Sequence, residues 1–228
     1  MARVFVTGDI HNGQDMGKLL QWYGMIKEDI GPNDCLLLAG DTGLGWEHAK
    51  VWVQDWLSEL PCTVLFIDGN HDDHWTLEGL ETREMFGADV GVLCDGIYHL
   101  RRGRIYEIAG KKWFTFGGAL SIDKEFREAG TDWWPEEIPS QEEFERGLDA
   151  LIAVDWKVDY VLTHTAPNDV VPLIGGNGFE IKEMDRTAAY LRGYRDMLRA
   201  YDRWFCGHFH KDLLMGQLRV MYNDVVEV

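Results

Sequence analysis

The sequence predicts an α/β protein in which one sheet is covered on both faces and a second sheet, or an antiparallel edge, follows it. Three observations lead there. Short, nearly continuous apolar runs alternate with helix-periodic stretches, the punctuation of βαβ units. The middle of the chain then changes to three short strand-like segments in close succession. No repeat, low-complexity tract or Pro/Ser-rich linker interrupts the 228 residues. A single domain over residues 1–228 is therefore expected, long enough to bury a sizeable core without disulfides or structural zinc.

The elements follow in order. "RVFVTGDIH" reads as the first strand and leads into a helix near 15–29; "DCLLLAGDTG" reads as the second, with a helix near 47–59; "CTVLFIDGNHDD" reads as the third, with a further helix behind it. A strand with one wet face would alternate apolar and polar residues, so these unbroken apolar runs imply cover on both faces. Segments 97–100, 104–109 and 112–117 read as antiparallel strands, with "RRG" as the turn between the first two. The polar, Trp-containing stretch 119–139 is long for a plain connection and is expected to form a rim or lid. A helix near 140–154 precedes the strand in "VDYVLTHTAP". After a "GGNG" loop come an amphipathic helix near 184–201, the strand in "RWFCGHFH" and two or three terminal strands.

Composition removes some functions. With 46% hydrophobic and 27% charged residues the chain is an ordinary globular one, which excludes disorder. A net charge of -17 leaves no basic stripe to neutralise phosphates, so no extended nucleic-acid surface is expected, whereas a small phosphorylated substrate fits. "MARVFVTGDIH" carries no signal-peptide pattern and no segment offers about 18 uncharged apolar residues, so a soluble cytoplasmic protein with no membrane partner is expected. Cys35, Cys62, Cys94 and Cys206 form no C-x-x-C pair and sit beside apolar runs, as reduced buried hydrophobes would. Oligomeric state is left open.

Ligands of open α/β sheets bind beyond the carboxyl ends of strands, and the strand ends here are polar. Asp9 and His11 follow the first strand, Asp41 the second, Asn70 and His71 the third, His164 a later one, and His208 and His210 the last before the terminal strands. Residues two apart in an extended turn project to the same side, so D-x-H and H-x-H each offer a pair of ligands to one centre. Imidazole with carboxylate suits Mn, Fe, Zn, Co or Ni better than Mg or Ca. One aspartate can bridge two ions, and Asn70 can add a neutral amide oxygen. Two such ions can clamp the attacking and leaving oxygens of a phosphoryl displacement. Two divalent ions, offset by Asp9, Asp41 and one hydroxide, leave a net positive charge to meet an anion.

In order, "GDIH", "GDTG", "GNHD", "TH" and "GHFH", spanning residues 8–210, resemble the calcineurin-like metallophosphoesterase superfamily, in a small bacterial or phage-type form. The resemblance implies two stacked mixed β-sheets flanked by helices, a four-layer sandwich. It implies a dinuclear centre in which Asp9, His11 and His210 hold one ion, Asp41 bridges, and Asn70, His164 and His208 hold the second. Two divalent transition-metal ions are expected, Mn first, then Fe, Zn, Co or Ni. A metal-bound hydroxide would attack and His71 would give a proton to the leaving oxygen or stabilise charge in the transition state.

Beside these, Gly69 is read as allowing a tight turn. Asp72 either caps the following helix or orients His71, and His74 either shares a helix face with His71 or is exposed. His48 and His99 are read as structural or surface histidines.

The substrate is less legible. Phosphoprotein phosphatases of this superfamily carry "GDxVDRG", whereas this chain reads "GDTGLGW" and lacks that further Asp and Arg. Lys124 or Arg127 could bind a phosphate oxygen, and Trp133 and Trp134 could stack on a base; ordinary ion pairing and aromatic packing would explain the same residues. The paired glycines 117 and 118 give a looser similarity to the RNA lariat debranching branch. A phosphomonoester is placed ahead of a phosphodiesterase or nuclease reaction, with a non-catalytic metal-binding scaffold last. No G-x-x-x-x-G-K-[ST], G-x-S-x-G or H-E-x-x-H motif occurs, and no cysteine has an arginine six residues on.

Overall fold

The computed structural model describes residues 2–46, 51–175 and 184–228; His48 and residues 176–178 of the glycine-rich loop lie outside them. The three leading apolar runs form β1 (Val4–Thr7), β2 (Cys35–Leu38) and β3 (Thr63–Phe66), with α1 (Gly17–Ile26) and α2 (Val51–Ser58) between them. These strands lie side by side and parallel. Their alternate residues face opposite ways: Phe5, Leu36, Leu38, Val64 and Phe66 pack on Leu19, Trp22, Val53 and Leu57 of the helices, whereas Val4, Val6, Leu37 and Leu65 face a second sheet. Both faces are buried, which is why the runs carry no polar alternation.

The third helix, α3 (His74–Glu78), is only five residues long and Gly79 ends it. Behind it come β4 (Glu81–Met85), β5 (Ala88–Cys94) and β6 (Ile97–Leu100), completing a seven-stranded sheet in the order β13-β1-β2-β3-β6-β5-β4 with β13 (Val226–Glu227) at the other edge.

The segments read as one antiparallel run divide between the sheets. β6 pairs parallel with β3, whereas β7 (Arg104–Ile108) and β8 (Lys111–Phe116) form a hairpin in the second sheet. "RRG" is therefore the crossover between sheets and not a hairpin turn. Its Arg102 is buried and holds Asp68, two residues past β3, at 2.6 Å.

The second sheet has six strands in the order β11-β12-β10-β9-β8-β7, with β8, β9 (Tyr160–Thr163), β10 (Arg203–Cys206) and β12 (Leu218–Val220) parallel and β11 (Leu213–Met215) antiparallel at the edge. Its outer face, with Phe114, Phe116, Val161 and Trp204, is covered by α4 (Gln141–Ala153) and α6 (Arg186–Met197) through Phe144, Leu151, Leu191 and Tyr194. A short α5 (Val171–Gly175) follows β9. Ser140 starts α4 with a reciprocal capping box to Glu143. Between the sheets, Tyr106, Trp113, Leu162 and Phe205 meet Val6, Leu37 and Ile67. At about 1.5–3 kcal/mol per fully buried large side chain, this interface is a main source of stability. The layers run helix, sheet, sheet, helix, as the resemblance implies.

Candidate metal centre

The carboxyl ends of β1, β2 and β3 in one sheet and of β9 and β10 in the other converge, and they bring the strand-end clusters together. Asp9, His11 and His210 place one donor atom each within 4.8 Å of one another, and Asp41, His164 and His208 do the same. Asp41 links the two sets. Its Oδ2 lies 3.6 Å from His11 Nε2 and its Oδ1 lies 3.3 Å from His164 Nε2. Asn70 Oδ1 is 3.1 Å from His164 Nε2 and so joins the second set. All seven expected ligand positions meet in one place.

Local backbone shapes this convergence. His11, Asp41, His208 and His210 all have positive φ, at 42°, 49°, 70° and 49°. Such conformations are costly for side chains other than glycine and persist where surrounding structure imposes them, typically at functional sites. Gly69 has no such φ, so the tight-turn explanation is corrected: a Cβ there would lie 2.1 Å from Asp41 Oδ1. A Cβ on Gly207 would lie 2.2 Å from Asp9 Oδ1. The glycines of G-N and G-H leave room for carboxylates from neighbouring strand ends.

The surroundings orient the histidines as metal ligands require. His164 Nδ1 donates to the Ala39 carbonyl at 2.7 Å, and His11 Nδ1 meets Asp15 Oδ2 at 2.6 Å, which turns each Nε2 toward Asp41. His208 N–H donates to both oxygens of Asp9, at 3.0 and 3.1 Å, and the His210 ring stacks on Tyr222. Lys18 Nζ donates to the carbonyls of Asp9 and Tyr222. These supports were not read from the sequence. Asp15 had a signal, four residues after His11; Lys18 and Tyr222 had none, because only the fold brings them here.

Without cations, protons answer the buried carboxylates. Burial works against charge on His11, but hydrogen bonds with Asp41 and Asp15 raise its pKa to about 9. The fully buried His164 is raised to about 10, burial again opposing and Asp41 and Asp9 prevailing. Desolvation and the neighbouring positive His164 push His208 down to about 4. A cluster of nitrogen and oxygen donors that draws positive charge fits divalent transition-metal ions.

His71 is partly buried, and its own N–H donates to Asp41 Oδ1 at 2.7 Å. Burial lowers its pKa, Asp41 opposes this, and Arg127 adds to the lowering. Asp72 neither caps the helix nor contacts the His71 side chain. It accepts from the N–H groups of Gly69 and Gly43, both at 2.7 Å, and from Thr42 Oγ1 at 3.0 Å, pinning the β3 loop to the β2 loop. The cap is Asp73, which accepts from Thr76 N–H. His74 is buried, not exposed, with Nδ1 3.2 Å from Arg102 Nη2, and His99 Nε2 lies 3.1 Å from Asp68 Oδ1.

The 119–139 stretch is core at its base and exposed at its tip. Ser121 and Glu137 are buried, whereas Ile122 and Phe126 are 85% and 83% exposed. Trp134, expected on the rim, is 2% exposed and packs against Trp46 with ring centroids 5.7 Å apart, so it has no open face for a base. Trp133 is half-buried. Arg127 Nη2 donates to Asp123 Oδ2 at 2.7 Å, and both charges act on His71. Lys124 opens a short 3-10 turn, Lys124–Phe126.

Comparison with known proteins agrees with the fold. The protein TT1561 of Thermus thermophilus superposes with a TM-score of 0.52 at 11% identity, over 100% of this chain and 98% of that one. Another solved structure gives 0.50 at 14% identity, over 96% and 89%. The Thermus thermophilus sulfate thiohydrolase SoxB, solved in complex with glycerol, reaches only 0.43 at 12% identity, over 97% of this chain and 51% of its own. No curated protein matches the sequence. At these identities the first two show a shared fold alone. The calcineurin-like phosphoesterase pattern, by contrast, matches residues 2–212, the stretch that carries all seven converging strand-end residues, and the chain belongs to that family.

Proposed function

We propose that this chain is a dinuclear metal-dependent phosphoesterase acting on a small phosphorylated substrate, a phosphomonoester ahead of a phosphodiester. The observation that carries the reading is Asp41, whose two oxygens face His11 of one donor set and His164 of the other. Asp9, His11 and His210 would hold one ion, Asn70, His164 and His208 the other, and Asp41 both. When bound, two divalent ions, Mn first, supply Lewis acidity toward a phosphate ester and its attacking water.

The chain's own groups do the rest. His71, anchored through its N–H to Asp41, donates its proton to the leaving oxygen. Burial makes that proton easy to give, and an incoming phosphate dianion favours the protonated ring until it does. Arg127, steadied by Asp123, meets a phosphate oxygen at the rim, with Lys124 and Trp133 beside it on the same loop. The four cysteines are free thiols, and a cytoplasmic setting belongs to the same reading.

Hydrolysis of p-nitrophenyl phosphate against bis-p-nitrophenyl phosphate, by metal-stripped protein reloaded with Mn, Fe, Zn, Co or Ni, tests this. Metal-dependent turnover with the monoester faster is expected. Faster diester hydrolysis would reverse the substrate order. No turnover with any metal, despite two ions bound per chain, would favour a scaffold.

A further inference from the structure

Asn70 poses a problem that the histidines do not. Its two amide ends are nearly equal in shape, but only the oxygen can bind a cation; the NH₂ would repel one. Something must hold the oxygen inward, and Asn70 is 2% exposed, so water does not decide.

Behind it stand Ser121 and Glu137, both buried, from the base of the 119–139 loop. Asn70 Nδ2 donates to Ser121 Oγ at 3.0 Å. Ser121 Oγ donates to Glu137 Oε2 at 2.5 Å, and Ser121 N–H donates to Glu137 Oε1 at 3.0 Å. With Glu137 ionised, the direction of this chain is fixed. A backbone N–H can only donate, so Glu137 accepts through Oε1; its other oxygen takes the single hydroxyl hydrogen of Ser121. That leaves Ser121 Oγ as an acceptor toward Asn70, which can satisfy it only with the NH₂ end. Asn70 Oδ1 therefore points away, to within 3.1 Å of His164 Nε2.

We propose that Ser121 and Glu137 are positioning residues that fix the amide orientation of Asn70 and thereby set the affinity of the second metal site, the one with His164 and His208, without touching the first. The inference rests on the two-metal reading above. Groups that orient metal ligands commonly change affinity about 10–100-fold when removed.

The test is a Mn²⁺ titration of metal-stripped full-length protein, followed by electron paramagnetic resonance, with melting temperatures to verify folding. His210→Ala, which lacks a ligand of the first site only, assigns the two steps. Ser121→Ala is expected to weaken the second ion about 10–100-fold and the first by less than threefold. Glu137→Gln, which keeps the volume but frees the hydroxyl hydrogen, is expected to weaken the same site by a smaller factor and serves if Ser121→Ala does not fold.

Asn70→Asp supplies the decisive background. A carboxylate has two like oxygens and needs no orienting, so adding Ser121→Ala there is expected to leave the second step unchanged. Unchanged affinities in folded Ser121→Ala would overturn the proposal. So would equal weakening of both sites, or the full loss persisting in the Asn70→Asp background. Wild-type protein that binds fewer than two ions would overturn this proposal together with the metal reading. Two ions bound but no ester hydrolysed would overturn the phosphoesterase reading alone and leave this titration standing.

Discussion

Removing His71 and removing Asp41 should have different consequences. The hydrogen bond from His71 to Asp41 is made by its backbone N–H, so His71→Ala is expected to keep two ions per chain while losing about 10²–10⁴-fold in kcat on an unactivated ester. On p-nitrophenyl phosphate, whose leaving group departs without a proton, the loss should be far smaller. Asp41→Ala should lose metal, measured by elemental analysis after gel filtration. The histidines add a pH prediction. His11 and His164, with pKa values of about 9 and 10, are protonated at pH 7 in the metal-free protein and must lose those protons to bind metal. Loading at pH 7 should therefore release about two protons per chain, and affinity should rise with pH through this range. Calorimetry in buffers of different ionisation enthalpy reads the number. The ligand types were legible at this scale because each sits in a short motif. Their tautomers were not, because Ala39 and Asp15 set them through contacts that only the fold creates.

Among elements, the join between β3 and the second sheet is the critical one. Asp68 follows β3 by two residues and is buried with Arg102 from the β6–β7 crossover, and His99 meets its other oxygen. Burial would raise the Asp68 pKa, but Arg102 and His99 hold it well below the usual carboxylate range. Its backbone carbonyl also accepts from Gly118 N–H at 3.0 Å, tying the β8 exit to the same point. Asp68→Ala would leave the buried Arg102 with Glu143, at 3.2 Å, as its remaining carboxylate partner and is expected to cost about 3 kcal/mol in urea unfolding, the low end for a broken buried pair. The pair's contribution is fully present above the unfolded carboxylate pKa of about 3.9 and is lost as pH falls toward the depressed folded value. None of this was legible, since "RRG" has the composition of a surface turn. β4 was also missed, for its sequence "ETREM" is mostly exposed. A charged, exposed edge strand protects a sheet from further pairing and so carries no apolar signature.

For the molecule as a whole, Asp9 and Asp41 are buried carboxylates, and cations bound beside them are expected to stabilise the fold. An ion at 100 times its Kd adds about 2.7 kcal/mol. For a chain of this size two ions should raise Tm by about 10–20 °C, a shift that chelator reverses in a thermal melt. The same whole-molecule view separates what each level of description decides. The sequence by itself determined the buried parallel strands and the candidate donor residues at their ends, because hydrophobic runs and metal-capable side chains are local properties that survive in one dimension. It also raised the expectation of an anionic substrate. Only the tertiary structure decided that the strand ends of two different sheets meet, that "RRG" crosses between those sheets, and that Trp134 lies inside while Ile122 and Phe126 lie outside. It alone placed Ser121 and Glu137 behind Asn70. Those outcomes depend on which surfaces stack against which, and stacking is a long-range balance of buried area and paired charge that no short stretch of sequence contains.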